Sequence, residues 1–574
     1  MRKFAETADR IAATTKKLEK TALLAGYLKS IPPDEAPIAA IFFSGRPFPM
    51  WEETTLQVGG SLLWRLVQEL SEKTEEELTA AYRKFGDLGA VAGAVLLDNN
   101  DPCSGGRPRP PSEVQQIFRQ IAAARGPIAK GTLVRELLQQ ITPREAKYII
   151  KIMTGDLRIG LKESLVEEAI AKAYGATPGE GKLDGKVKLK EVQRANMLLG
   201  DIGETLRLAA DNRLGEAKMR LFHPIGFMLA SPAESAEDAL TYFQNAWVED
   251  KYDGIRAQAH CSGDTVRFFS RTRDEITESF PELPDALAGL PQDAILDGEI
   301  VAWSYLVGDE VVRDPENVER QASSPIPRAL PFSALQQRLG RKKVSDDLMR
   351  QVPVAYIVFD VLYAGGELLI DRPLRERAKL LDELLASQKR LHHRDTGTQR
   401  RRRISSADAQ GRLGLIAERQ TSEEQFVTPQ IIRAGVFQAS SPDELNQLFD
   451  AAQTRGNEGL MIKDPESPYT PGRRGKSWLK LKRELATLDV VVTAAEYGHG
   501  KRIGVLSDYT FAVRDGDRLL NIGKAYSGLT DVEIAEMTRW FLEHTIDDQG
   551  FRRLVEPKIV LEVAFNNIMK SDRH

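Results

Sequence analysis

The spacing of apolar residues changes near residue 221, and that change constrains the fold of this chain more than any other feature. Before it the period is helical. Leu62, Leu63 and Trp64 through Leu70, and Leu165 through Ala173, recur at the interval that lines one helix face. Thr74-Glu75-Glu76-Glu77 and Thr142-Pro143-Arg144-Glu145 match capping boxes, the second with Pro at the first helical position. Loops rich in Pro and Gly are expected at Asp101 to Ser112 and at Gly175 to Gly185. After residue 221 the apolar runs are short and bounded by charges and glycines: Ala294-Ile295-Leu296, Tyr356-Ile357-Val358-Phe359, Gly459-Leu460-Met461-Ile462. These read as strands with short helices between them. From near Leu488 the runs Asp489 to Val492, Tyr509 to Val513 and Lys558 to Val563 predict a β-rich region, a small barrel. A chain of 574 residues exceeds what one core usually supports. The reading is therefore multidomain: an all-α domain over residues 1–220, an α+β domain over 221–486, and a small β-barrel over 487–574.

Composition narrows the function classes. Cys103 and Cys261 are the only cysteines, so no disulfide framework and no four-cysteine zinc site can form. The seven histidines lack metal-ligand spacing, and His392-His393 lie in a polar stretch. No apolar run is long enough to span a bilayer, which makes the cytoplasm the expected location. The net charge of −4 excludes a uniformly basic coat protein but not DNA binding, which depends on local clusters. Such clusters stand at Lys16-Lys17, Arg341 to Lys343, Arg400 to Arg403 and Arg473 to Lys482. Ser304 to Pro331 and Gln388 to Gln425 read as insertions or long loops.

The chemistry is carried by Glu249-Asp250-Lys251-Tyr252-Asp253-Gly254-Ile255-Arg256. Lys-x-Asp-Gly alone is weak, and Lys182-Leu183-Asp184-Gly185 matches it inside the expected Gly-rich loop without the neighbours that matter. A lysine serves as a nucleophile when it is deprotonated, which burial or nearby cations favour. Ser270-Arg271, Asp297-Gly298-Glu299, Phe359-Asp360, Glu458 to Lys463 and Ser477 to Lys482 follow in order. Arg474-Gly475-Lys476-Ser477 mimics the end of a P-loop, but Thr470 stands where its first glycine is required.

This series resembles the nucleotidyltransferase superfamily of DNA ligases, RNA ligases and mRNA capping enzymes. Ser44-Gly45-Arg46-Pro47-Phe48-Pro49 and Gly155 to Leu161 look like segments of the helical DNA-binding domain of archaeal and eukaryotic-type ATP-dependent DNA ligases, and Lys524 to Asp531 looks like part of their OB domain. The resemblance implies an enzyme that seals nicks in double-stranded DNA in replication, repair and recombination, using ATP and Mg²⁺. It assigns Lys251 as the catalytic nucleophile that carries AMP. Glu249 would accept from the adenine amino group, Arg256 and Arg271 would contact nucleotide and nick phosphate, and Phe359 would stack on the purine. Glu299 would hold the ribose or a metal, Glu458 would ligate Mg²⁺, and Arg474, Lys480 and Lys482 would neutralise phosphates.

The same resemblance implies a further strand and a basic Arg-x-Asp-Lys motif, whereas this sequence runs to Ser571-Asp572-Arg573-His574. The expectation is that self-adenylation suffers more than sealing of an already adenylated nick. A monomer is expected, one associated with the nucleoid; a sliding-clamp partner is not readable. The alternatives are an RNA ligase or capping-type enzyme, and a truncated, non-adenylating remnant that only binds DNA. An NAD-dependent ligase is disfavoured because it needs a cysteine-ligated zinc module.

Overall fold

The computed structural model describes residues 1–52, 54–96, 109–175, 182–243, 245–304, 328–339, 341, 343–387, 430–482, 486–498, 502 and 504–565. The insertion expected at 388–425, most of that at 304–331, His392-His393, the Arg400–Arg403 run, most of the loop at 101–112 and the last nine residues lie outside these. By contact density the chain forms two compact units, residues 219–483 and residues 1–218 with 484–574.

Helices dominate the chain up to Ala210. Both capping boxes form: Thr74 caps Glu75–Phe85, and Thr142 caps Pro143–Met153, with Glu77 and Glu145 reaching back to the cap amides. Amphipathic faces bury one aromatic cluster in which Phe4 meets Tyr27, Phe42, Phe43 and Tyr148. Burying such side chains contributes about 1.5–3 kcal/mol each. One expectation needs correcting. Lys182-Leu183-Asp184-Gly185 does not sit in a loop but opens the helix Lys182–Leu199. The cost of one helical glycine, about 1 kcal/mol, is absorbed by an 18-residue helix. Segments Ser44 to Pro49 and Gly155 to Leu161, far apart in sequence, meet: a Cβ at Gly45 would stand 3.5 Å from the Gly155 carbonyl oxygen.

Residues 219–483 build two sheets. In chain order the strands are β1 Leu229–Pro232, β2 Ala246–Lys251, β3 Ile255–Ser262, β4 Thr265–Ser270, β5 Ala294–Ser304, β6 Arg328–Ala329, β7 Val354–Ala364, β8 Glu367–Leu368, β9 Gln430–Arg433, β10 Phe437–Ala439, β11 Gly459–Lys463 and β12 Arg474–Lys482. The first sheet runs β1-β12-β11-β2-β10 and the second β4-β3-β5-β7-β8, with β6 on β5 and β9 on β7. One face of the first sheet buries Val248, Leu460, Ile462, Leu479 and Leu481 in an apolar cluster with Leu445 and Ala452 of the helix Pro442–Thr454. The segment leading into this unit is stitched onto β3 by alternate side chains. The Phe222 amide donates to His260 Nδ1, Gln258 pairs with both backbone groups of Ile225, and Arg256 donates to the Met228 carbonyl.

The C-terminal part is β-rich. Strands β13 Ala486–Tyr497, β14 Leu506–Asp515, β15 Arg518–Ala525, β16 Thr545–Asp548, β17 Arg552–Val555 and β18 Val560–Phe565 form one curled six-stranded sheet, ordered β15-β14-β13-β17-β16 with β18 also on β13. The long strand β13 makes this possible. Its first half pairs β18 and its second half β17. Helix Asp531–Glu543 covers the sheet, burying Phe541 against Tyr509. Among the described residues no helix is long and apolar enough to cross a membrane.

Candidate active site

Strand period 2 and sheet register turn scattered motifs into one surface. In β2, Glu249 and Lys251 point to one side of the sheet and Asp250 to the other. On that other side Asp250 is gripped by the Arg455 guanidinium at 2.6 and 2.7 Å and by Asn457 at 2.8 Å. Strand β11 sets Gly459 opposite Lys251 and Met461 opposite Glu249. Strand β12 sets Lys482 opposite Gly459, Lys480 opposite Met461 and Trp478 opposite Lys463. The face opposite the apolar cluster therefore carries a comb of Glu249, Lys251, Met461, Lys463, Trp478, Lys480 and Lys482. The second sheet supplies the facing wall: Arg256 on β3, Glu299 directly opposite it on β5, and Phe359 on β7.

These groups bound a cavity of about 230 Å³. Lys251, Glu249, Arg256, Arg271, Glu299, Phe359, Arg474, Lys480 and Lys482 all line it, with Tyr252, Met461, Lys463 and Trp478. Glu458 lies beside it. Its Oε2 contacts Lys251 Nζ closely and Lys482 Nζ at 2.6 Å. Gly254 closes the turn after Lys251 because nothing larger fits: a Cβ there would fall 2.3 Å from the Ile300 carbonyl oxygen. Gly459, at φ +146°, has the same constraint against the Leu481 carbonyl oxygen at 2.2 Å. The Glu458 amide donates to the Lys251 carbonyl at 2.8 Å, which fixes the two side chains relative to each other.

The electrostatics are crowded. Burial pushes the Glu299 carboxyl up to about 7, with Asp297 and Glu458 adding to the rise against Lys251 and Arg256. Burial and the facing Glu458 raise Asp253 as well. Glu458 itself is penalised by burial, yet Lys251 and Lys482 outweigh that and hold it below the usual carboxylate range. Lys480 is drawn down by burial and by Lys482, Arg474, Lys251 and Arg271. Arg256 is already committed. It forks onto Asp297 at 2.7 and 3.1 Å, and Tyr469 donates to the same carboxylate at 2.7 Å.

Among the described residues no three His, Cys, Asp or Glu side chains gather as a ready-made metal cage. The carboxylates of Glu299, Asp253 and Glu458 nevertheless suit a hard divalent cation that keeps water and substrate phosphates as its remaining ligands. Their mutual repulsion is what such a cation would relieve.

Sequence reasoning missed several members of the site. Lys463 and Trp478 stand inside the motif segments but received no role. Asp253 and Asp297 also stand inside those segments, Asp253 read only as a turn residue, whereas Tyr469 lies outside them and enters through a tertiary contact, reaching Asp297 across 172 residues.

Comparison with known proteins completes the description. The family model for the DNA ligase N terminus matches residues 1–171, and that for the ATP dependent DNA ligase domain matches residues 227–401 and 414–482. A probable DNA ligase of Koribacter versatilis is 55% identical over 578 residues, covering 100% of this chain and 91% of that protein. One of Opitutus terrae is 41% identical across 100% of this chain, which spans 59% of that longer protein. The DNA ligase of Methanothermobacter thermautotrophicus is 32% identical, with 100% and 91% covered. Among solved structures, one described as Pmar-Lig_PreS3 superposes with a TM-score of 0.52 at 15% identity, covering 97% of this chain and 93% of its own.

Proposed function

This chain belongs to the ATP-dependent DNA ligases, and from that premise we propose that Lys251 is its adenylated nucleophile and the cavity between its two sheets its ATP site. The enzyme seals nicks in double-stranded DNA. One observation carries the site assignment. Residues from six motif segments, the first at Glu249 and the last at Lys482, converge on a single cavity whose two faces offer what the reaction needs: a lysine, an aromatic wall for a purine, and cations for phosphate.

The proposed chemistry follows from those groups. Phe359 and Glu249 hold adenine, the ring by its face and the carboxylate by accepting from the 6-amino group. Glu299 takes the ribose or shares the metal. Arg271, Arg474, Lys480 and Lys482 offset charge as it grows on the phosphates. The Lys251 ammonium is not nucleophilic while it pairs with Glu458, so that contact must open and Nζ must pass a proton to solvent. Its lone pair then attacks the α-phosphorus, an N–P bond forms, and the bond to pyrophosphate breaks. An oxygen of the 5′-phosphate at the nick next attacks the same phosphorus, the N–P bond breaks, and Lys251 regains its proton. The 3′-hydroxyl finally displaces AMP. Glu299, Glu458 and Asp253 would hold Mg²⁺, which supplies charge neutralisation on the triphosphate. Arg256 acts mainly by shaping the wall, since Asp297 and Tyr469 occupy its fork.

The further assignments rest on the same family reading. Residues 1–220 grip duplex DNA through phosphates, with the meeting of Gly45 and Gly155 as part of that surface. Residues 221–486 adenylate. The curled sheet after residue 487 is an OB module, a reading supported by one long strand shared among several partners. A monomer supplies every element and works in the cytoplasm on the nucleoid. The family match does not favour the RNA-ligase, capping or non-catalytic readings.

The test is intact mass after incubation with ATP and Mg²⁺. Wild type gains one AMP and Lys251→Ala gains none. An AMP adduct that persists in Lys251→Ala refutes the assignment.

A further inference from the structure

The mechanism gives Lys463 no task, yet its side chain is a cation enclosed in the wall of the ATP cavity, 1% exposed. Its ammonium lies 2.6 Å from Glu249 Oε2, and Glu249 is itself only 4% exposed. The two stand on neighbouring strands as a diagonal pair, since Glu249 faces Met461 and Lys463 lies two residues further along the same side. Above the ammonium are the rings of Trp478 at 4.3 Å and Phe359 at 4.4 Å. Burial draws the ammonium's pKa down, while Glu249 and the two π faces favour its charged form. The other charged groups nearby are committed elsewhere. Asp360 is held by Arg377 at 2.8 and 2.9 Å, and Arg256 by Asp297. Lys463 thus belongs to Glu249, and it engages one carboxylate oxygen, leaving the other for an incoming donor.

We propose that Lys463 is a specificity-determining residue: by ion-pairing Glu249 inside the cavity it keeps that carboxylate ionised and acceptor-only, which admits a purine with an amino group at position 6 and rejects one with an oxo group. The proposal rests on the reading of Glu249 as the adenine contact. Its logic is that of donor and acceptor count. An ionised carboxylate only accepts, so a 6-amino group satisfies it and a 6-oxo group repels it. A protonated carboxyl can donate, and then a 6-oxo group becomes a partner. A carboxylate buried without a cation drifts toward that protonated form, because desolvation penalises the charge. Removing Lys463 should therefore relax the choice of base rather than merely weaken the site.

The experiment compares initial rates of adduct formation, read by intact mass, with ATP and with inosine triphosphate, which differs from ATP in carrying oxo for amino at position 6 and a hydrogen on N1. The full-length chain is used as wild type, Lys463→Met, Lys463→Gln, Lys463→Arg and Glu249→Gln, each checked for folding by circular dichroism. Lys463→Met is expected to lower the ATP preference about tenfold or more, because polar-group matching dominates such discrimination. Lys463→Gln should behave likewise, and Lys463→Arg should keep most of the preference. A purely structural lysine would slow both nucleotides in proportion and leave the ratio unchanged, and that result in folded Lys463→Met or Lys463→Gln overturns the proposal. Glu249→Gln separates the two levels. If it leaves the ratio unchanged, the reading of Glu249 fails and this inference with it. If it lowers the ratio while the uncharged Lys463 variants do not, only the inference about Lys463 fails.

Discussion

Folding raises the Glu299 carboxyl from an ordinary value of 4.5 to about 7, because burial removes its water and Lys251 and Arg256 only partly offset that loss. A carboxyl with a raised native pKa binds more protons in the folded chain than in the unfolded one between those two values. Stability must then fall as pH rises through that window, the reverse of the usual paired carboxylate. The metal-free protein is expected to lose on the order of 1–3 kcal/mol from this group between pH 5 and 8. Glu299→Gln should flatten that slope, and urea melts at the two pH values measure it. Parallel slopes for variant and wild type would show that the raised carboxyl has been misplaced. A cation bound among Glu299, Asp253 and Glu458 should flatten the slope too, so the melts are best run with chelator and with Mg²⁺.

At the scale of elements, the site depends on register, and register explains what the sequence could and could not disclose. Glu249 and Lys251, or Lys480 and Lys482, are legible as same-face pairs because their spacing is two. That Gly459 lies between Lys251 and Lys482 is not legible, because it depends on β11 pairing with strands from both sides. The Lys463–Glu249 pair escaped for the same reason: 214 residues separate its partners, and no local pattern announces a diagonal across a ladder. Helix starts at Thr74 and Thr142 were readable because capping is local chemistry. The helix from Lys182 was not, because Gly185 and its charges suggest a loop until packing is known. The stitching of residues 222–228 onto β3 is another tertiary product, and it makes a prediction. Gln258 is fully buried and satisfies both the amide and the carbonyl of Ile225. Gln258→Leu leaves both groups dry and unpaired, at about 1–3 kcal/mol each. Denaturant unfolding should register that loss. A variant as stable as wild type would mean that the segment finds other partners.

At the scale of the whole molecule, every side chain that lines the proposed ATP cavity comes from residues 219–483, while the second compact unit joins the helical part to the curled sheet after residue 484. Among the described residues Phe551 stands at the centre of that joint. The Phe551 amide donates to the Arg83 carbonyl at 3.1 Å, the Phe551 ring fills the space over Gly86, and Tyr82 meets the ring edge-on at 6.5 Å. Gly86, at φ +70°, ends the helix Glu75–Phe85 in a left-handed turn, and a Cβ there would stand 3.3 Å from the Phe551 ring. An apolar plug of one aromatic ring offers a few kcal/mol at most, comparable to the loss on truncating a buried Phe to Ala, about 3–5 kcal/mol. Such a joint sits at the low end of local stability, where segments open without global unfolding. Phe551→Ala should therefore raise amide exchange at Tyr82 to Gly86 and around Phe551 while leaving exchange in β2, β11 and β12 as it was. The amount of AMP loaded on Lys251 should not change, because nothing that lines the cavity is touched. Faster exchange throughout residues 219–483, or a drop in AMP loading, would mean that the joint supports the catalytic unit and that chemistry and grip are not divided as the two units suggest.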